Sequence, residues 1–593
     1  MGRKGQCRDG ETVLDSARNL EIGINSICGG EGICGACRIQ IIEGRVTTPT
    51  PKEKALFSSH QLSHGWRLAC QSYPLSDCKL YVPPESMSTP QRTQTESVEI
   101  HIPTDPPANI YIVEMSAPSL STVNADADSF LRKLNERHKL TCNAIDIEVL
   151  RMMSPCLREL NWHCMASVRN TEVISIGSSA TKNLGLAIDL GTTKIAIYLV
   201  DLDNGRTLAS KGIMNPQISF GEDIITRINV VIRQPNKASR MQKLVANVLN
   251  QAIGEFCSEV GIHSEEITEA VIVGNTAMHH LFLSLPVKQL ALSPYVPAVS
   301  APLDIKARDV GLNTGLGAYI HFLPNIAGFV GSDHVAMLLA AKAWEVQEPT
   351  IMLDIGTNTE ISLIKDGNIT SVSCASGPAF EGYYIQHGMR AAGGAIEKIR
   401  IVDGNIKYQT IDNLAPVGIC GSGILDALAQ LYQAGIIDRS GRMQDGHPRM
   451  RKKGRQREFI LVSSEERDSQ GDIVISQKDV RELQLAKSAI RTGIELLMKK
   501  YQLAADDIAQ VVIAGAFGSY IDVSSAIAIG MFPDIPHERF NQIGNAAGMG
   551  ARLALISATE RKRADDLASH VDYIELATSP DFTQIFIQAG YLG

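Results

Sequence analysis

The sequence predicts a multidomain chain combining α+β and α/β units, on three observations. A glycine-rich loop near the N-terminus, Cys28-Gly-Gly-Glu-Gly-Ile-Cys34-Gly-Ala-Cys37, carries three cysteines. A polar, proline-bearing tract follows at 83–98. A strand–turn–strand phrase then occurs twice, beginning at Leu184 and at Ile351. With 593 residues, the chain has room for roughly four domains of about 150 residues each. Apolar and charged fractions of 44% and 20% are those of a globular protein. A net charge of −8 argues against a broad nucleic-acid surface. No apolar run approaches the roughly 18 residues that span a bilayer, so neither nucleic acid nor membrane is expected as a partner. Twelve cysteines without secretory features suit a reducing cytoplasm, the expected location.

The first unit is expected over 1–83. Asp9-Gly10-Glu11-Thr12-Val13-Leu14-Asp15 leads into a helix with Val13, Leu14 and Ala17 on one face. The cysteines of the following loop are spaced C-x5-C-x2-C, and a fourth, Cys70, stands in Trp66-Arg67-Leu68-Ala69-Cys70-Gln71. Three close thiols and one remote one make the ligand set of a 2Fe-2S cluster, Cys28, Cys34, Cys37 and Cys70, and glycines let backbone N–H groups approach the sulfides. A zinc site prefers two C-x2-C pairs, and only one occurs. The spacing departs by one residue from the plant-type C-x4-C-x2-C and resembles the adrenodoxin-like branch of ferredoxins. That likeness implies a β-grasp fold. Such a fold opens with a β-hairpin, for which too few residues precede the helix. Either the hairpin is curtailed or the start lies upstream. Arg38–Ile42 reads as a strand running into a turn at Glu43-Gly44, and Cys78–Val82 closes the unit.

Residues 84–98 have the composition of a linker. A small α+β domain is expected over 99–182. In it, Asp126 begins a capped helix facing inward with Phe130, Leu131 and Leu134. Ser154-Pro155 reads as a second helix start, Ser as cap and Pro in the first turn. Stretches at 163–169 and 172–176 alternate like strands. Cys142, Cys156 and Cys164 lack ligand spacing and read as core residues.

The last unit, 183–593, holds the repeated phrase. Leu184-Gly-Leu-Ala-Ile-Asp189-Leu-Gly191-Thr192-Thr193-Lys194 is a buried strand, a Gly-Thr turn and a second strand, reaching a turn at Asp203-Asn204-Gly205. Ile351-Met-Leu-Asp354-Ile-Gly356-Thr357-Asn358-Thr359-Glu360 repeats the plan and ends at Asp366-Gly367-Asn368. In each copy Gly admits backbone N–H groups to anionic oxygens, Thr adds a hydroxyl donor and Asp can hold Mg²⁺ directly or through water. One copy is an ordinary turn; two after matching strands point to a pair of phosphate clamps. A third glycine-rich turn, Gly515-Ala-Phe-Gly518, follows the strand Val511–Ala514 and could pack against adenine. Asn545-Ala-Ala-Gly-Met-Gly550 opens a late helix.

This set resembles the ATPase superfamily of actin, sugar kinases and heat-shock chaperones. The likeness implies a two-lobed, ribonuclease-H-like fold with Mg·ATP between the lobes. Asp189 and Asp354 would position Mg²⁺ or water, and Asp333, in the first connecting helix, would orient an attacking water. Gly191, Thr192, Thr193, Lys194, Gly356, Thr357, Asn358, Glu360, Gly515 and Gly518 would bind the nucleotide. The second connecting helix belongs at 545–554.

A ferredoxin joined to such an ATPase is a narrow combination, and it resembles the reductive activators of corrinoid proteins. Asn215-Pro-Gln217 with Phe220-Gly-Glu222-Asp223, Gly274-Asn275-Thr276-Ala-Met278, Ser376-Gly-Pro-Ala-Phe-Glu381-Gly382 and Gly418-Ile-Cys420-Gly-Ser-Gly423 carry the likeness through the ATPase region. It implies an ATP-dependent reductase that passes one electron from the cluster to Co(II) of a corrinoid methyl carrier, restoring Co(I). An external low-potential donor and a homodimer come with the same likeness. Plant-type clusters sit near about −400 mV, and each further ~100 mV uphill costs about 2.3 kcal/mol per electron, which gives ATP its task. The alternatives are an ATP-driven donor to another low-potential metalloenzyme, and a nucleotide-dependent redox sensor. Activators of the dehydratase kind hold their cluster on ATPase-domain cysteines, so the ligands at 28–70 favour the corrinoid target.

Other residues read more blandly. Glu222 and Asp223 could serve nucleotide or partner, or form a solvated face. Cys374 and Cys420 read as core cysteines. His279-His280 should diverge on a helix rather than share a metal. The basic run Arg449 to Arg457 reads as a flexible exposed loop or a dock for an acidic partner.

Overall fold

This computed structural model describes residues 4–8, 10–20, 24, 30–33, 35, 37–83, 86, 102–121, 123–178, 181–402, 404–454, 456–467, 471–515 and 517–593. Cys28, Cys34 and, apart from residue 86, the expected linker lie outside the described residues.

In the first unit the helix Val13–Asn19 buries Val13, Leu14 and Ala17, the face expected from sequence. Strands β1 (Arg38–Glu43), β2 (Trp66–Leu68) and β3 (Lys79–Tyr81) form an antiparallel sheet in the order β2-β1-β3. Among the described residues no strand precedes the helix.

The second unit consists of β4 (Ala108–Glu114), the helix Asp126–His138, β5 (Ala144–Ile145), the helix Ile147–Glu159, β6 (His163–Arg169) and β7 (Glu172–Gly177), with sheet order β4-β6-β7-β5. The first helix begins at Asp126 as expected, but its cap and the start of the second helix are corrected. Asp126 is not a cap: Ala125 holds that position without a side-chain bond, and Asp126 instead pairs with Arg158 at 2.7 Å. Ser154-Pro155 lies inside the helix Ile147–Glu159, which Asp146 caps from its side chain to the Glu148 N–H. Val149, Met153 and Leu157 bury one continuous stripe across the proline. Packing of that stripe outweighs the lost hydrogen bond. The unit docks on the next one through Arg169, which reaches buried Glu269 at 2.9 Å, while Arg561 holds the other Glu269 oxygen at 2.8 Å.

Strands β8 (Leu184–Leu190), β9 (Lys194–Asp201), β10 (Thr207–Met214), β11 (Ile267–Val273), β12 (Leu303–Lys306) and β13 (Tyr319–Phe322) build the first lobe's sheet, in the order β10-β9-β8-β11-β13-β12. The second lobe begins with β14 (Thr350–Ile355), β15 (Thr359–Lys365) and β16 (Asn368–Cys374). Two small sheets are inserted next, from β17 (Ala395–Val402), β18 (Asn405–Thr410) and β19 (Gly418–Ile419), and from β20 (Met450–Lys453), β21 (Gln456–Val462) and β22 (Ile473–Ser476). β23 (Gln510–Ala514), β24 (Phe540–Gly544) and β25 (Val571–Tyr573) complete the main sheet, β24-β23-β14-β15-β16-β25. Each lobe is therefore an antiparallel meander of three strands whose first member pairs in parallel with a later strand. The repeat in sequence is a repeat in topology.

The helix Ser332–Ala340 and the helix Ala546–Ile556 pack between the two sheets in one core that draws residues from both lobes. Gly550 lets their backbones touch, since a Cβ there would stand 2.0 Å from the Ala336 carbonyl oxygen. The basic run is also corrected. Its residues supply β20 and the start of β21, where Arg451 pairs with Glu458 and Asp472, and Arg457 with Asp445. These arginines are neutralised within the chain. No helix among the described residues is long and apolar enough to cross a membrane.

Candidate functional site

Two sites emerge, one in the first unit and one between the lobes. β1 starts immediately after Cys37 and β2 ends just before Cys70. Their register pairs Arg38 with Leu68, and the Ala69 N–H donates to the Cys37 carbonyl at 2.8 Å. The Cys37 and Cys70 sulfurs thereby stand 3.3 Å apart, both buried. Gly30, Gly32 and Gly35 all adopt positive φ in the adjoining loop, and the Gln71 amide ties that loop to Cys70 by donating to the Gly30 carbonyl at 3.0 Å. The scaffold beneath is a buried ion pair: Arg67 grips Glu53 with Nε and Nη2 at 2.9 and 3.0 Å, and the Leu68 N–H donates to the same carboxylate at 3.0 Å. Two adjacent buried thiols beside a left-handed glycine loop fit a cluster held by thiolates.

Between the lobes lies a cavity of about 240 Å³. It is lined by Asp189, Gly191, Thr192, Thr193, Lys194, Asp333, Asp354, Gly356, Thr357, Asn358, Glu360 and Gly515. Of the nucleotide residues expected from sequence, only Gly518 falls elsewhere: the side from which its Cβ would grow faces Ile513, and Phe517 lines the cavity instead. Gly515 lines the cavity, and a Cβ on it would meet Asp354 Oδ1 at 2.7 Å. Stacked Phe380 and Phe517, ring centres 5.5 Å apart, form the cavity's aromatic wall.

The two Gly-Thr turns are held by different props. In the first, Asn275 caps the helix Thr276–Phe282 with its side-chain oxygen, and its amide donates to Thr192 Oγ1 at 2.9 Å. The Asn215 amide and Arg227 take the Gly191 and Thr192 carbonyls at 2.8 and 2.6 Å. In the second, Ser376 bonds Thr359 at 2.9 Å. Glu381 joins the turns, accepting from Thr193 Oγ1 at 3.1 Å and from Thr357 Oγ1 at 2.6 Å. The phrases quoted above as bare likeness thus supply the supports of both turns. Glu381's bridging role and Arg390, which also lines the cavity, had no sequence signal beyond a glycine-rich surrounding.

Six acids line the cavity, Asp189, Asp333, Asp354, Glu360, Glu381 and Glu397, against two bases, Lys194 and Arg390. Desolvation pushes Asp354 up to about 6. Desolvation and then the Asp354 charge take Asp189 to about 7, and desolvation with Asp354 and Asp189 takes Asp333 to about 8. Desolvation, followed by Asp333 and Asp354, raises Glu360 well above its ordinary value. Among the described residues no three His, Cys, Asp or Glu side chains form a ready-made metal cage.

The remaining expectations resolve simply. Glu222 is no solvated face, being buried against Arg390 at 3.0 Å, and Asp223 caps the helix Ile224–Arg233. Cys374 and Cys420 are buried. His279 and His280 do not diverge: their Nδ1 atoms lie 3.2 Å apart, and His280 Nε2 accepts the Ala298 N–H, fixing both in the core.

Family comparisons follow this anatomy. Residues 2–75 match the model described as a 2Fe-2S iron-sulfur cluster binding domain, 97–183 the RACo linker region, 184–344 the RACo middle region, and 348–593 the C-terminal domain of RACo, the ASKHA domain. The chain is 33% identical over 595 residues to the corrinoid activation enzyme RamQ of Eubacterium limosum, covering 98% of this chain and 96% of that protein. It belongs to the reductive activators of corrinoid proteins. A solved structure described as a reductive activator for corrinoid, iron-sulfur protein superposes with a TM-score of 0.74 at 32% identity, covering 99% of this chain and 96% of that one. The [Co(II) methylated amine-specific corrinoid protein] reductase of Methanosarcina barkeri is 24% identical over 439 residues, covering 68% of this chain and 76% of that protein. As a member of this family the chain has a 2Fe-2S domain at its N-terminal end and an ASKHA domain at its C-terminal end.

Proposed function

We propose that this chain uses ATP to move one electron from its 2Fe-2S cluster to the cobalt of a corrinoid protein, returning Co(II) to Co(I) in a methyl-transfer system. The observation that carries the reading is the union, in one chain, of a cluster-binding domain and an acid-rich cavity on which two Gly-Thr turns converge. The bound cluster supplies a one-electron carrier, and Cys28, Cys34, Cys37 and Cys70 are its proposed ligands. The proposed domains are 1–83 for the ferredoxin-like unit, 84–98 for the linker, 99–182 for the α+β unit and 183–593 for the ATPase.

In the cavity Asp189 and Asp354 would hold Mg²⁺ or its waters, and Asp333 would orient the attacking water. Gly191 to Lys194 and Gly356 to Asn358 offer N–H, hydroxyl and ammonium donors to the phosphates, with Glu360 behind them. Gly515 admits the nucleotide close to the backbone, and the Phe380–Phe517 stack receives the base. Two lobes joined by crossed helices can close on Mg·ATP and reopen on hydrolysis, which links the nucleotide to docking of the corrinoid partner. An external low-potential donor refills the cluster, and the assembly is a homodimer.

The test follows the visible spectrum of a purified Co(II) corrinoid protein mixed with this protein and a low-potential reductant. Co(I) is expected only with Mg·ATP, and is lost with Cys37→Ala or Asp354→Ala. A cluster that reduces normally while no tested corrinoid protein gains Co(I) would remove the corrinoid target.

A further inference from the structure

Arg390 lies in the cavity wall with its side chain 9% exposed. Its Nη2 pairs with Glu222 Oε2 at 3.0 Å. Glu222, 1% exposed, comes from the first lobe and Arg390 from the second, so the ion pair crosses the cleft. The Tyr383 ring lies against the guanidinium, 5.2 Å from its centre. Nε and Nη1 are buried without a hydrogen-bond partner, as are the neighbouring Glu222 Oε1 and Tyr383 hydroxyl, so the ion pair itself leaves polar capacity open at the cavity wall. Leaving a buried charged donor unpaired is costly, and a guanidinium fork is shaped for carboxylate or phosphate oxygens. Glu381 is already engaged by Thr193 and Thr357. Arg390 acts electrostatically on Lys194 of the first turn and is itself acted on by Glu381 between the turns. It lines the cavity together with Thr193, Thr357 and Glu381, the residues through which the two turns are joined.

We infer that Arg390 is an arginine supplied in cis to the terminal phosphate of the nucleotide, with Glu222 holding it across the cleft. The inference rests on reading the cavity as an ATP site and adds the residue that tells ATP from ADP. In hydrolysis the water oxygen bonds to the γ-phosphorus as the bond to the β–γ bridging oxygen breaks, giving ADP and inorganic phosphate and releasing a proton of the water to solvent. Negative charge shifts onto the bridging oxygen, and fixed N–H donors beside it lower the barrier. Because the same guanidinium is anchored on the opposite lobe, it meets the phosphate only when the lobes are together.

Calorimetric titration of the full chain with Mg·ADP and Mg·AMP-PNP tests this, on wild type, Arg390→Ala, Arg390→Lys and Glu222→Gln, beside ATP turnover with and without millimolar guanidinium. Arg390→Ala should weaken AMP-PNP about 10-fold while changing ADP less than about 2-fold, and lower turnover on the order of 10²-fold. Added guanidinium should restore part of that turnover. Arg390→Lys should recover part of the AMP-PNP affinity, and it is read the same way should the alanine variant fail to fold. Glu222→Gln should give a smaller loss of the same kind. Equal weakening of ADP and AMP-PNP, or no change in either, overturns the role of Arg390 and leaves the ATP site standing. A wild type that binds neither nucleotide overturns the site itself.

Discussion

Glu53 in the first unit and Asp354 in the inter-lobe cavity are both carboxylates withdrawn from bulk water. Around Glu53, burial pushes the carboxyl up, but Arg67 and the Leu68 and Thr50 N–H groups outweigh it and hold it below its ordinary value. Around Asp354 nothing compensates, and its neighbours Asp189, Asp333 and Glu360 are acids displaced upward with it. The first arrangement is finished without a ligand and serves as scaffold, holding the strand that presents Cys70. The second is a set of buried acids raised by desolvation and, at Asp189, Asp333 and Glu360, by one another, a strain that a proton or a cation relieves, and such displaced groups mark a functional-site candidate.

Asp354→Asn should break the comparison most severely, lowering ATP turnover on the order of 10³-fold. The thermal midpoint of the nucleotide-free protein should stay unchanged or rise, because one of several crowded acids is neutralised. Glu53→Gln should do the reverse. Leaving Arg67 buried without its partner should destabilise the first unit by about 3 kcal/mol, seen as early loss of the cluster's visible absorbance on heating, with ATP turnover untouched. Within the cavity the two turns can be told apart by glycine. A Cβ on Gly191 would stand 2.5 Å from the Lys194 carbonyl oxygen, against 3.3 Å from the Asn358 oxygen for Gly356. Gly191→Ala should therefore cost on the order of 10-fold more in kcat than Gly356→Ala. The smallest effect is in pH. The Glu53 pKa is depressed on folding, so its stabilisation is complete above 4.5 and is lost as pH falls through the folded value. Cluster retention should fall in that acid range, and Glu53→Gln should flatten the dependence.

Much of the architecture was legible because it rests on local pattern. Strand β8 is apolar almost end to end, β14 repeats it, and each carries its aspartate one residue before its end. Of the four cysteines that the spacing singles out, Cys37 and Cys70 meet in the structure, while Cys28 and Cys34 lie outside the described residues. Helix boundaries at Ser154-Pro155 were not legible, since a cap at Asp146 and a buried stripe on both sides of the proline decide the matter through packing. The run from Arg449 was misread because its neutralising acids, Asp445 and Asp472, flank it in sequence yet meet it only when the hairpin forms. Glu381 and Arg390 escaped for a simpler reason. Their partners, Thr193 and Glu222, lie 188 and 168 residues away, in the opposite lobe.

The most direct test of the contrast between satisfied and unsatisfied acids is the Mg²⁺ dependence of nucleotide binding, measured by titrating AMP-PNP with and without the cation. Wild type should bind on the order of 10-fold more tightly with Mg²⁺, and Asp354→Asn should lose that gain while Glu53→Gln keeps it. An Mg²⁺ effect of the same size in all three proteins would contradict the account, leaving the acids of the cavity without a cation to hold.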